Sequence, residues 1–175
     1  MHTFIYILVG IVVLIALLAM IAPKAYNVSR IIEINGTKEL IFPHLQYLVK
    51  QRSWSPWMKK DKNMETKLIG LDGTVGAISH WKGNRDVGEG EQELTKIIDG
   101  ERVEGKLRFL KPWKSQSDCY LTLLEDSTHK CKVTWGFSGS NTFPFSIVTL
   151  FIGMDKMVGK DFEEGLQNLK TIIEG

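Results

Sequence analysis

The chain reads as an α+β protein: a curved seven-stranded antiparallel sheet around a long C-terminal helix, preceded by one transmembrane helix. Three observations carry this expectation. Phe4 to Ala22, FIYILVGIVVLIALLAMIA, is uncharged and apolar throughout, about the length that crosses a bilayer as one helix. From Thr66 onward the apolar residues alternate with polar ones through six successive short runs, the period of half-buried strands. Between Phe151 and Ile173 the apolar residues instead recur every three or four positions, the period of an amphipathic helix.

The first run reads as a retained anchor, not as a cleaved signal. A secretory signal carries a basic n-region and an apolar stretch of about 7–15 residues. Here only Met1, His2 and Thr3 precede a longer run, and Pro23 would follow any cut after Ala22. No cysteine lies near it to accept a lipid. The nearby basic residues, Lys24, Arg30 and Lys38, all follow the run, so the positive-inside bias puts the remainder of the chain on the cytoplasmic face. The organisation expected is an anchor over residues 1–23, a linker over 24–27 and one domain over 28–175, a length that supports a single core.

Val28 to Ile34 alternates as a first strand, and Asn35-Gly36 ends it. Thr37 is placed to N-cap a helix running to about Leu48, with Pro43 implying either a late start or a kink there. Gln51 to Asn63 reads as a loop or a single helical turn. The six further strands are expected over 66–71, 76–82, 90–98, 102–110, 118–124 and 130–137, punctuated by Asp72-Gly73, Gly83-Asn84, Asp99-Gly100 and Asp126-Ser127. Met154, Val158, Phe162, Leu166, Leu169 and Ile173 form the stripe of the last helix. Gly153, Gly159 and Gly165 interrupt it, which suits close packing of helix on sheet or space left between them.

A formal charge of +2 is nearly balanced, which argues against a general nucleic-acid binder. Lys59-Lys60-Asp61-Lys62 is a short basic cluster that reads as a solvated loop or as a contact for anionic headgroups. Cys119 and Cys131 fall on neighbouring strands. A hairpin symmetric about residue 127 would set Cys131 opposite Leu123, roughly 13 Å from Cys119, too far for a disulfide. Neither has metal-ligand spacing.

Several local motifs carry a resemblance: Trp54-Ser55-Pro56-Trp57, Gly76 through Trp81-Lys82-Gly83-Asn84, and Val87-Gly88-Glu89-Gly90-Glu91-Gln92. Leu107-Arg108-Phe109 with Pro112, Val133-Thr134-Trp135, and Gly159 through Lys170 continue it. Together with the element order, residues 26–175 resemble the helix-grip fold of the START-like, Bet v 1-like (SRPBCC, polyketide cyclase/dehydrase) superfamily. The resemblance implies a cavity between sheet and long helix that binds hydrophobic ligands. It implies no particular reaction.

Trp135 alternates with Cys131, Val133 and Phe137 and should face the concave side. The cavity residues expected are Trp57, Trp81, Phe109, Trp135, Met154 and Phe162, with His80 or Tyr120 as a polar group among them. Trp54, Trp57 and Trp113 fall near loops, where they could guard a mouth or touch the bilayer interface. Glu89, Glu91 and Glu93 share one strand face, read as a solvated outer surface. Gly88-x-Gly90 opens a strand, not a helix, and is no phosphate loop. No catalytic constellation, metal site or cofactor motif stands out. The function expected is a membrane-anchored, non-catalytic binder or carrier of a hydrophobic small molecule or lipid. The alternatives are an enzyme acting on a lipid-like or polyketide-like substrate, or a regulatory domain that recruits a protein.

Overall fold

The computed structural model describes residues 2–127 and 129–175. Met1, in the short n-region, and Thr128, in the turn expected near residue 127, lie outside the described residues. Helix α1 (His2–Ile21) has a mean hydropathy of 3.2 and buries none of its residues. At 1.5 Å per residue it extends about 30 Å, the thickness of a bilayer core.

Strand β1 (Ala25–Asn35) begins three residues before the expected start. The helix after Thr37 then breaks in two: α2 (Lys38–Gln46) and α3 (Leu48–Trp54), with Tyr47 extended between them at ψ 119°. Pro43 sits inside α2, where its carbonyl accepts from the Tyr47 N–H. The start of α3 is capped from a distant turn. The Asp72 carboxylate accepts the N–H groups of Leu48 at 2.8 Å and Val49 at 3.1 Å, satisfying donors that a helix start leaves open. The segment expected as a loop is therefore mostly helical, since α4 (Trp57–Lys60) follows directly.

Strands β2 (Glu65–Ile69), β3 (Ile78–Lys82), β4 (Glu89–Ile98), β5 (Arg102–Lys111), β6 (Ser115–Ser127) and β7 (Lys130–Ser140) complete one antiparallel sheet. Its order is β1-β7-β6-β5-β4-β3-β2, a meander whose first strand closes on its last. The register between β6 and β7 pairs Leu123 with Val133, and Cys131 with Glu125, so the hairpin is not symmetric about residue 127. Cys119 instead pairs with Phe137, six residues from Cys131. Both thiols are free and buried.

The C-terminal helix expected over 151–173 is α6 (Met154–Glu174); a further helix with no counterpart in the sequence reading, α5 (Phe145–Ile152), precedes it, and Gly153 at φ 76° separates the two. That left-handed conformation is open to glycine at little cost. Helix α6 lays Phe162, Leu166 and Leu169 into the concave face. Its start is held by Arg30 on β1, which bonds Asp155 at 2.8 Å and Glu163 at 2.6 Å. Gly159 lies against the Arg30 guanidinium and Gly165 against the Trp135 ring. These two glycines serve close approach.

Two apolar clusters lie under α6. One joins Ile34, Ile41, Leu45, Leu48, Leu94, Leu123, Val133, Leu166 and Leu169 into a filled core. The other is built on Val28, Phe137 and Phe162, with Trp57, Leu107, Phe109, Trp135, Met154 and Val158 against it.

Candidate functional site

Between the second cluster and the sheet lies a cavity of about 290 Å³, at the lower bound of the range typical of small-molecule sites. Strand alternation builds its floor. Trp81 on β3, Leu107 and Phe109 on β5, Cys119 and Leu121 on β6, and Trp135 and Phe137 on β7 point to the concave side and line it. Trp57, Val158 and Phe162 close it from the helical side.

The aromatic side chains hold one another by edge and face contacts. Trp135 stacks on Phe162 with ring centroids 4.3 Å apart, and takes the edges of Trp54 at 4.9 Å and Trp57 at 5.5 Å. Trp81 meets Phe109 at 5.9 Å. Such pairs stabilise by about 0.5–1.5 kcal/mol each beyond burial, and they fix bulky walls where flexible side chains would collapse inward. Gly90 lets the Trp81 ring lie flat against β4, since a Cβ there would meet that ring. Trp54 is nearly fully buried and its indole N–H donates to the His44 carbonyl at 3.1 Å. It is part of the wall, not a loop-borne guard.

Of the aromatic residues expected in the cavity, Trp57, Trp81, Phe109, Trp135 and Phe162 line it. Met154 packs on the same cluster just outside the lining. The expected polar groups need correction. His80 lies on the outer face, because β3 turns Ser79 and Trp81 inward; its imidazole sits 3.6 Å from the Glu89 carboxylate. Tyr120 borders the cavity, but its ring lies on the outer face over Gly136, with the Arg102 guanidinium 4.7 Å from its centre. The same alternation turns Glu91 and Glu93 outward, where both bond Arg108. Glu89 bonds Lys111 at 2.7 Å, and that contact holds its carboxyl below the usual range.

The polar corner of the cavity comes from residues that alternation alone does not reveal. Arg52, in the last turn of α3, donates to the Thr66 hydroxyl at 2.9 Å and to the Ser79 hydroxyl at 3.0 Å. Beside it, Gln92 donates to the Gln51 side-chain carbonyl at 3.0 Å, and Gln51 donates to the Leu45 carbonyl at 2.6 Å. Gln51, Arg52, Thr66, Ser79 and Gln92 all line the cavity. Cys119 also faces it, and burial pushes its thiol up to about 12, so it is a protonated wall group and not a thiolate nucleophile. Among the described residues no group of three or more His, Cys, Asp and Glu side chains is placed to hold a metal ion.

One end of this assembly gathers several apolar features. The register sets Ala25 beside Ser140, Glu89 beside Lys111, and Lys82 beside Glu89. The exit of α1, the 83–88 turn, the 112–114 turn and α5 therefore share one end of the sheet. Asp86 and Val87 bring the cavity to this same end. Helix α5 is inverted in polarity: it buries Ser146 and Thr149, and it exposes Phe145, Val148, Phe151 and Ile152. Asn141, just before it, bonds Thr149 through its side chain and the Lys24 carbonyl through its N–H. Trp113 is also exposed here.

No family model matches the chain, and no curated protein matches it in sequence. Solved structures do match in fold. Norcoclaurine synthase from Thalictrum flavum, in complex with dopamine and hydroxybenzaldehyde, superposes with a TM-score of 0.64 at 8% identity, covering 89% of this chain and 90% of its own. A protein from Nitrosospira multiformis matches at 0.60 and 18% identity, over 85% and 96%. Ginseng major latex-like protein 151 from Panax ginseng matches at 0.59 and 11%, over 86% and 99%. The fold is the Bet v 1-like helix-grip fold.

Proposed function

We propose that this protein is a membrane-anchored binder of a hydrophobic small molecule, held in the aromatic cavity between sheet and α6. The observation that carries the reading is the cavity itself. Indole and phenyl rings fixed by mutual contacts make up much of its wall, with Leu107, Leu121 and Val158 among them, while the other half of the same interface is filled. Burying apolar ligand surface against such walls contributes roughly 25 cal/mol per Å² before the costs of association. The norcoclaurine synthase structure holds two small aromatic molecules, which makes the fold a reasonable host for such cargo.

Helix α1 serves as the anchor, and the end of the domain that carries its exit rests on the bilayer. The exposed Phe145, Val148, Phe151 and Ile152 of α5 and the indole of Trp113 support this placement, since aromatic and apolar side chains concentrate at membrane interfaces. The cavity then opens where an apolar ligand partitions, and exchange needs no passage through water. Lys24, Arg30 and Lys38 favour a cytoplasmic domain. Protease added to sealed inside-out vesicles should then digest the domain; digestion only in right-side-out vesicles reverses the orientation.

Binding without catalysis is the simpler reading, because the inward ionisable groups are scattered. Arg52 comes from α3 and is bonded to the Thr66 and Ser79 hydroxyls, Asp86 comes from the 83–88 turn, and the Cys119 thiol stays protonated. The test is native mass spectrometry with organic extraction of the full chain released from nanodiscs. A stoichiometric apolar molecule, absent from a Leu107→Trp variant that fills the cavity, is the expected result. A chain that comes free of bound molecules in every preparation, with the variant indistinguishable from it, overturns the proposal.

A further inference from the structure

We infer that the bound molecule carries one oxyanion, a carboxylate or a phosphate monoester, received by Arg52 at the polar corner of the cavity. The inference rests on the proposed binding function and adds the class of ligand. Arg30, Arg102 and Arg108 each bond at least one carboxylate. Arg52 is half-buried in the cavity wall, and among the described residues no carboxylate lies within the 4.0 Å of an ion pair. Its Nε is buried without a hydrogen-bond partner. A guanidinium withdrawn from water is costly unless it is paired.

Its two neighbours deepen the need for an acceptor. The Thr66 and Ser79 hydroxyl oxygens accept from Arg52, which leaves each hydroxyl proton free to donate. The corner thus presents unspent guanidinium N–H groups and two hydroxyls that can each donate a proton. The group that satisfies several donors at once and offers none is an oxyanion, and the forked guanidinium matches it with paired bonds. The Gln51 and Gln92 amides are already joined to each other and fix the side of the corner. Asp86 also lines the cavity, from the 83–88 turn, while Arg52 enters from α3 between the Thr66 and Ser79 hydroxyls. An alkyl or aromatic body would lie among Trp81, Phe109 and Trp135, with its anionic end at α3.

The experiment uses the full chain in zwitterionic nanodiscs at about pH 8, where a carboxylic acid is ionised. Dodecanoate, dodecyl phosphate and 1-dodecanol are titrated separately, each corrected for partition into empty nanodiscs, with quenching of the cavity tryptophans as readout. Wild type should bind one or both anions at least about tenfold more tightly than the alcohol, the scale of one charge-assisted bond. The preferred anion distinguishes a carboxylate from a phosphate source. Arg52→Gln should erase that preference and leave alcohol binding unchanged within about twofold, while Arg52→Lys retains part of it. Equal wild-type binding of all three ligands overturns the oxyanion inference and leaves the apolar cavity standing. An equal loss of all three in Arg52→Gln makes Arg52 structural and overturns it too. Failure of every ligand on wild type overturns the binding function and this inference with it.

Discussion

The two halves of the interface between sheet and α6 are built on opposite rules. Toward the C-terminal end of α6, Leu166 and Leu169 meet Ile34, Leu94 and Val133, with Ile41 and Leu45 from α2 above them. These are branched aliphatics, each 2% exposed or less, and they fill their space. Toward the start of α6 the walls are Trp57, Trp81, Phe109, Trp135 and Phe162, and they surround about 290 Å³. Aliphatic side chains relax partly into a void; rings braced by edge and face contacts have less freedom to do so. The filled half supplies the stability that lets the other half stay open.

The largest expected effect tests the filled half. Leu169→Ala should cost about 2–5 kcal/mol, because its neighbours close only partly over the hole; urea unfolding of the chain in detergent measures it. Leu107→Ala, at a wall that already borders a void, should cost less than half as much. Equal losses would mean that the halves are packed alike. The converse substitution sharpens the contrast. Val133→Phe should lose about 1–3 kcal/mol by overpacking, whereas Leu107→Phe should stay within about 1 kcal/mol of wild type and weaken ligand binding.

Cys119 reports burial of the open half's floor. Its thiol is pushed up from an ordinary value of 9.0 to about 12, first by burial and then by the Asp118 carboxylate. A raised folded value favours the protonated thiol, so its contribution to stability is complete below about pH 9 and disappears as pH rises toward about 12. Iodoacetamide at pH 9 should alkylate folded Cys119 on the order of 10²-fold more slowly than urea-unfolded chain. Comparable rates would show that solvent reaches the floor freely. The smallest effect concerns the Arg30 clamp on the start of α6. The Arg30 hydrogen bond holds the Asp155 carboxyl below its ordinary range. A lowered value makes the clamp complete above the ordinary range and weakens it as pH falls through the folded value. Hydrogen exchange should then quicken in the first turns of α6 in acid, less so in high salt, with the filled half unchanged.

Much of this contrast is legible in the residues. Period-two alternation locates every strand and turns Trp81, Phe109, Trp135 and Phe137 inward together. The stripe on α6 places Phe162, Leu166 and Leu169 correctly. Features that depend on distant partners are not legible. Helix α3 starts where Asp72, more than twenty residues away in sequence, caps it, so Arg52 was hidden in a segment that resembles a loop. A guanidinium that reaches two strands from a helix end leaves no periodic signal. His80 and Tyr120 suit a polar cavity group by their chemistry, yet each sits one residue from an inward neighbour, and alternation turns both rings to the outer face. Gly153 at φ 76° sets the start of α6, yet in the sequence it looks like the packing glycines 159 and 165. Helix α5 carries no periodic signal: it turns Phe145, Val148, Phe151 and Ile152 outward and buries Ser146 and Thr149, the reverse of the pattern that marks a core-facing helix.

The open half is the central claim, and ¹⁹F NMR of the full chain labelled with 5-fluorotryptophan tests it most directly. On addition of the ligand preferred among dodecanoate, dodecyl phosphate and 1-dodecanol, the resonances of Trp57, Trp81 and Trp135 should move together and saturate at one molecule per chain. If those three stay fixed while the ligand binds, the molecule sits elsewhere and the cavity is not the site.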